Sequence, residues 1–75
     1  MIRYDLPEAS NIHIVIYNVM GQQIRTLISE MQEPGAHQVI WNAKDAFGHN
    51  VSSGVYFLRM ETQDFQQVRK MLLLR

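Results

Sequence analysis

The chain has 75 residues, with seven basic and seven acidic side chains, no cysteine and 47% hydrophobic residues. A chain of this length buries roughly 60–65% of its unfolded surface. That supports one thin core and one domain, and is too little for a deep cleft with its supporting walls. Zero net charge with neutral histidines offers no basic excess for nucleic acid or an anionic membrane. The lack of cysteine removes disulfides and thiolate chemistry, and the longest apolar run, residues 71–74, is strand-sized rather than membrane-spanning.

Period two dominates the pattern. Ile2, Tyr4 and Leu6 alternate with Arg3 and Asp5 until Pro7 stops the run. No apolar stretch of signal-peptide type occurs there. Ile12, Ile14 and Ile16 then alternate with His13, Val15 and Tyr17, which predicts a strand rich in β-branched residues. Asn18 and Gly21 supply the hairpin turn that follows. Residues 22–30 read as a third strand in which Ile24, Leu27 and Ile28 break strict alternation, so a bulge or a local twist is expected; a helix is the competing reading, disfavoured by the strands on both sides. Pro34-Gly35 marks another turn, and His37, Val39 and Trp41 alternate with Gln38, Ile40 and Asn42. Residues 43–54 form a polar loop, long for a sandwich hairpin and expected to fold back on itself through local hydrogen bonds. Tyr56, Leu58 and Met60 begin a fifth strand; a turn at residues 62–64 and a last strand from Phe65 to about Leu74 complete the chain. Six short strands with regular turn signals make an all-β antiparallel sandwich or barrel.

The candidate core is Leu6, Ile12, Ile14, Ile16, Val39, Trp41, Tyr56, Leu58, Met71 and Leu73. Trp41 is its largest member, and its indole N–H needs a carbonyl partner. Trp41→Ala is expected to cost about 3–5 kcal/mol.

The chemistry-bearing residues do not cluster. His13, His37 and His49 have no metal-ligand spacing. Asp45, with Asn42 and Asn50, offers fewer oxygens than a calcium loop needs; its expected role is to accept backbone N–H groups and pin the loop. Ser52 and Ser53 beside Gly54 lack a nucleophile-elbow pattern. Glu30, Glu33, Glu61 and Asp64 read as solvated turn residues. No catalytic residue, cofactor or metal is called for. Tyr4, Tyr17 and Phe57 could make only a loose aromatic platform. One charge feature stands out: Arg69 and Lys70 precede Met71, Leu72, Leu73 and Leu74, and Arg75 closes the run. This is either an edge strand guarded by basic residues or a peptide that a partner reads by strand pairing.

Several segments taken in order carry a family resemblance: Ile2-Arg3-Tyr4-Asp5-Leu6-Pro7, Ile14-Val15-Ile16-Tyr17-Asn18 with Gly21-Gln22, and Ile24-Arg25-Thr26-Leu27. Gly35-Ala36-His37-Gln38-Val39-Ile40-Trp41-Asn42, Gly48, Ser53-Gly54-Val55-Tyr56-Phe57 and Lys70-Met71-Leu72-Leu73-Leu74-Arg75 continue it. The set resembles the type A C-terminal sorting domain of the bacterial type IX secretion system. It is similar also to the immunoglobulin-like domain of the flagellar hook-capping protein, which shares the tryptophan-loop-glycine-tyrosine layout.

The resemblance implies an immunoglobulin-like antiparallel β-sandwich of about six to seven short strands, with Trp41, Asp45, Gly48, Gly54 and Tyr56 as its structural motif. It implies that residues 1–75 are a single non-catalytic C-terminal domain, excised from a larger exported bacterial protein. The implied role is a secretion and sorting signal that directs export and surface attachment or release. Its partners would be outer-membrane secretion machinery proteins, its place secreted or at the cell surface, without direct membrane insertion. Lys70, Met71, Leu72, Leu73, Leu74 and Arg75 would be the recognised strand. The alternative is a passive accessory module: a stalk, a carbohydrate-binding domain or a hook-cap-like assembly domain. Two departures stand out. The Pro-Asn-Pro-Phe segment that many members carry would precede Ile2, and Asn42-Ala43 replaces the common Asp-Gly, which alters the demands on that turn. A shortened first strand would open a sheet edge, so self-association of the isolated domain, as a homo-oligomer, is expected.

Overall fold

The computed structural model describes residues 2–74. Six strands follow in chain order: β1 (Ile2–Leu6), β2 (Ser10–Asn18), β3 (Gln23–Gln32), β4 (Gly35–Val39), β5 (Gly54–Glu61) and β6 (Gln66–Leu73). β1 and β4 pair antiparallel as one sheet, and the second sheet has the order β3-β2-β5-β6, again antiparallel throughout. All peptide bonds of the described residues are trans.

The core lies between the sheets. Tyr4 and Leu6 from β1 meet Ile12, Ile14 and Ile16 from β2 and Tyr56, Leu58 and Met60 from β5, all buried. The β2 isoleucines are fully enclosed because β2 is a central strand, and Ile14 and Ile16 lie directly opposite Met60 and Leu58. Alternation places His13, Val15 and Tyr17 on the other face.

Four expected core members are only partly buried. Val39, Trp41, Met71 and Leu73 pack around the core without being enclosed, while Tyr4 and Met60 join it. The covering sheet explains this, because it consists of two five-residue strands. β6, at the edge of the larger sheet, lies partly beyond it. Gln67 and Arg69 sit opposite Met60 and Leu58, on the core-facing side, and are nonetheless exposed. Tyr4 reaches Gln32 with its hydroxyl, and burial holds its phenol above the usual range.

The broken alternation of β3 has a structural cause. The ladder with β2 shifts between Ile14 and Val15 and again between Ile16 and Tyr17. Leu27 and Ile24 are the extra residues, each without a partner of its own in the register. Both are half-buried against the core, so the bulges keep two out-of-phase apolar side chains at the sandwich interior. β4, in contrast, is shorter than its alternation predicts. It stops at Val39, leaving Ile40 66% exposed and Trp41 on the following loop.

Candidate functional site

Trp41, Asp45, Gly48, Gly54 and Tyr56 converge on the loop between β4 and β5. The Trp41 indole N–H donates to the Lys44 carbonyl at 2.9 Å, and its ring meets Tyr56 edge-on at 5.2 Å between centroids. The Tyr56 hydroxyl donates to the Ser52 carbonyl at 2.7 Å, four residues upstream. This is a tyrosine corner, which anchors a crossing connection to the strand that follows it. Gly54 opens β5 opposite Leu73.

The loop is closed by short-range bonds. Val51 N–H donates to the Ala43 carbonyl, Asp45 N–H to His49, and Lys44 bridges to Asn50 in antiparallel fashion. One Asp45 carboxylate oxygen accepts the backbone N–H groups of Phe47 and His49, both at 2.9 Å. Gly48, at φ 83°, supplies the left-handed turn residue. Ala46 N–H donates to Ile24 and ties the loop to β3. The backbone N–H of His49, above all, holds the Asp45 carboxyl below the usual carboxylate range. A carboxyl depressed in the folded state stabilises above its unfolded value near 3.8 and loses that contribution as pH falls through the folded value. Asp45→Asn is therefore expected to lower the melting temperature at pH 7, with the gap to wild type shrinking as pH falls below the unfolded value of 3.8, read by thermal melts from neutral to acid pH.

Ala43 has φ 61°, where an L-residue with a Cβ is disfavoured. It occupies the position after Trp41-Asn42 where the common pattern has glycine. The backbone thus keeps the glycine conformation without the glycine. Ala43→Gly is expected to stabilise the domain by about 0.5–1 kcal/mol, the relief of strain less glycine's larger unfolded-state entropy. Urea unfolding measures it; a destabilised variant contradicts this account.

The histidines go separate ways. His13 Nδ1 meets Ser29 Oγ at 3.0 Å, His37 Nε2 donates to the Glu33 carbonyl at 2.7 Å, and His49 lies 3.9 Å from Asp45. Among the described residues no group of three histidine or acidic side chains converges as a metal site.

In the last strand, Met71 and Leu73 turn inward opposite Tyr56 and Gly54. Lys70 and Leu72 turn outward opposite Phe57 and Val55, and Leu72 and Leu74 are largely exposed. Arg75 falls outside the described residues.

The outer face of the larger sheet carries an apolar surface of its own. Tyr17 and Phe57 are direct cross-strand partners there. They line a shallow apolar groove with Val19, Arg59 and Val68. Tyr4, the third aromatic of the expected platform, is instead in the core. The signal was available: Val15, Tyr17, Val55 and Phe57 make the outward positions of β2 and β5 apolar as well as the inward ones.

Two antiparallel sheets around one core, joined through a tyrosine corner, define an immunoglobulin-like β-sandwich. Residues 2–65 match the family model of the FlgD Ig-like domain, and the chain belongs to that family. No curated protein and no solved structure matches it.

Proposed function

We propose that the domain is a passive assembly module, an immunoglobulin-like unit that joins the protein carrying it to a neighbour by surface contact. Membership of the FlgD Ig-like family, non-catalytic in general, supports this reading. The observation that carries it is the outer-face groove of Tyr17, Phe57, Val68 and Arg59. Aromatic and arginine side chains around an apolar floor are the composition of a protein-binding surface. Arg59 is held in place by Gln66 at 3.2 Å and Glu61 at 3.1 Å.

Val68→Asp puts a charge on that floor at a residue 56% exposed, where the fold tolerates it. In the full-length protein the variant is expected to weaken assembly at least about tenfold with the circular dichroism spectrum unchanged. Assembly at the wild-type level would count against the reading.

β6 supports a second reading. It lies beyond the residues that match the family and is an edge strand with exposed Arg69, Lys70, Leu72 and Leu74. Such a strand suits recognition as an export signal by outer-membrane secretion machinery, with the protein carried to the surface or released. A reporter fused to the domain should be exported, and should be retained when residues 70–75 are deleted or when Arg69 and Lys70 are both changed to Glu. Export of the altered fusions would end this reading.

A further inference from the structure

Zero net charge conceals a lengthwise separation of charge. The β-register shows it strand by strand. Ile12 of β2 faces Glu30, and His13 faces Glu61. Further along, Val15 faces Arg59, and Ile16 faces Arg25 on one side and, through Leu58, Arg69 on the other. Tyr17 faces Phe57 and, through it, Lys70. In this sheet every acid precedes every base along β2.

The rest of the chain follows the same order. Glu8 lies in the β1–β2 connection, Glu33 in the β3–β4 connection and Asp64 in the β5–β6 turn, all at the end where β2 begins. Within β1, Asp5 lies toward that end and Arg3 away from it. Lys44 belongs to the opposite end, on the loop held by Trp41 and Tyr56. Six of the seven carboxylates thus occupy one half, although Glu61, nearest the middle, is ion-paired with Arg59 across the boundary at 3.1 Å. The seventh, Asp45, is engaged by the backbone N–H groups of its own loop. The basic end also carries exposed apolar side chains: Val19 and Met20 on the β2–β3 hairpin, Phe47 at the loop tip, and Leu74 past β6. The separation runs along the long axis. A ten-residue strand spans about 33 Å, which only the longest of the 36 × 20 × 19 Å dimensions accommodates.

We propose that the basic, apolar end of one copy docks on the acidic end of a second copy, giving head-to-tail association. The occupant is a second copy because the complementary charge is on the same chain, at the other end. The proposal goes beyond the assembly reading, because the contact lies at the two ends of the sandwich rather than in the outer-face groove. Such a contact is heterologous and does not close on itself, so it propagates as a chain. The cross-section of 20 × 19 Å limits it to about 400 Å² per partner, in the weak, transient range.

The test is sedimentation of the isolated domain at up to about 1 mM, a concentration suited to a contact of this size. Association is expected in low salt, weakening about tenfold between about 20 and 500 mM NaCl as screening shortens the reach of the end charges. Two double variants then discriminate: Glu30→Lys with Glu33→Lys, and Arg69→Glu with Lys70→Glu, all at exposed positions. Each alone is expected to associate far more weakly, since one of its ends has lost most of its charge, while their equimolar mixture, which pairs an unaltered basic end with an unaltered acidic end, associates. A strict monomer in low salt overturns the inference. So does association that ignores salt, or that the Arg69/Lys70 variant retains, which would point to edge pairing or the outer face and leave the assembly reading standing. Failure of that reading is seen separately, as Val68→Asp leaving full-length assembly intact.

Discussion

Ile14→Ala is expected to cost about 3–4 kcal/mol, most of the stability that a domain of this size possesses. Ile14 is fully enclosed in the middle of a central strand, between Met60 on β5 and Ile28 on β3. Its neighbours are held by ladder bonds on both sides, so the cavity left by truncation cannot collapse easily. The variant should show no cooperative thermal transition above about 37 °C, or a urea midpoint near zero. Val15→Ala, one residue along on the opposite face and half-buried, should cost about 1 kcal/mol. Equal losses at the two positions would mean that the sandwich interior is not where the alternation puts it.

Trp41→Ala comes second, at about 2–4 kcal/mol, slightly below the range expected of an enclosed tryptophan. Trp41 is only partly buried, yet it links three things: the core edge through Tyr56, the loop through the Lys44 carbonyl, and the exit from β4. Trp41→Phe keeps much of the ring contact and drops the indole hydrogen bond, so it should lose about 1–2 kcal/mol. The difference between the two variants, read by urea unfolding, separates ring packing from the loop tie. If Phe were as damaging as Ala, the hydrogen bond rather than the ring would hold the corner.

Which parts of this architecture were legible depended on how many neighbours a strand has. In β2, flanked on both sides, inward and outward residues followed directly from alternation, and Ile12, Ile14 and Ile16 are the most enclosed side chains. In β3, failure of alternation at Ile24 and Leu27 was itself the information, because a bulge is what reconciles two out-of-phase apolar residues with one buried face. In β6 the pattern and the structure agree in direction and differ in degree. Met71 and Leu73 point inward as their spacing requires, but how much cover the opposite sheet provides is a tertiary quantity that no local pattern contains. The outer groove was hidden for a related reason: β5 is apolar on both faces, and period two alone does not say which face meets solvent. Tyr4 carries a ring suited to a platform, but its phase with Ile2 and Leu6 places it inside.

The two bulges of β3 also decide which way the larger sheet can grow. A bulged edge is twisted and out of step, so an incoming strand cannot form a continuous run of bonds along it. The far side of the sheet ends in the unbroken ladder of β6, whose outward hydrogen-bonding groups are evenly presented. Strand addition, whether by a partner or in aggregation, is thereby one-sided. A backbone-blocking N-methyl group placed on alternate residues of β6 should suppress it, and the same modification along β3 should change nothing.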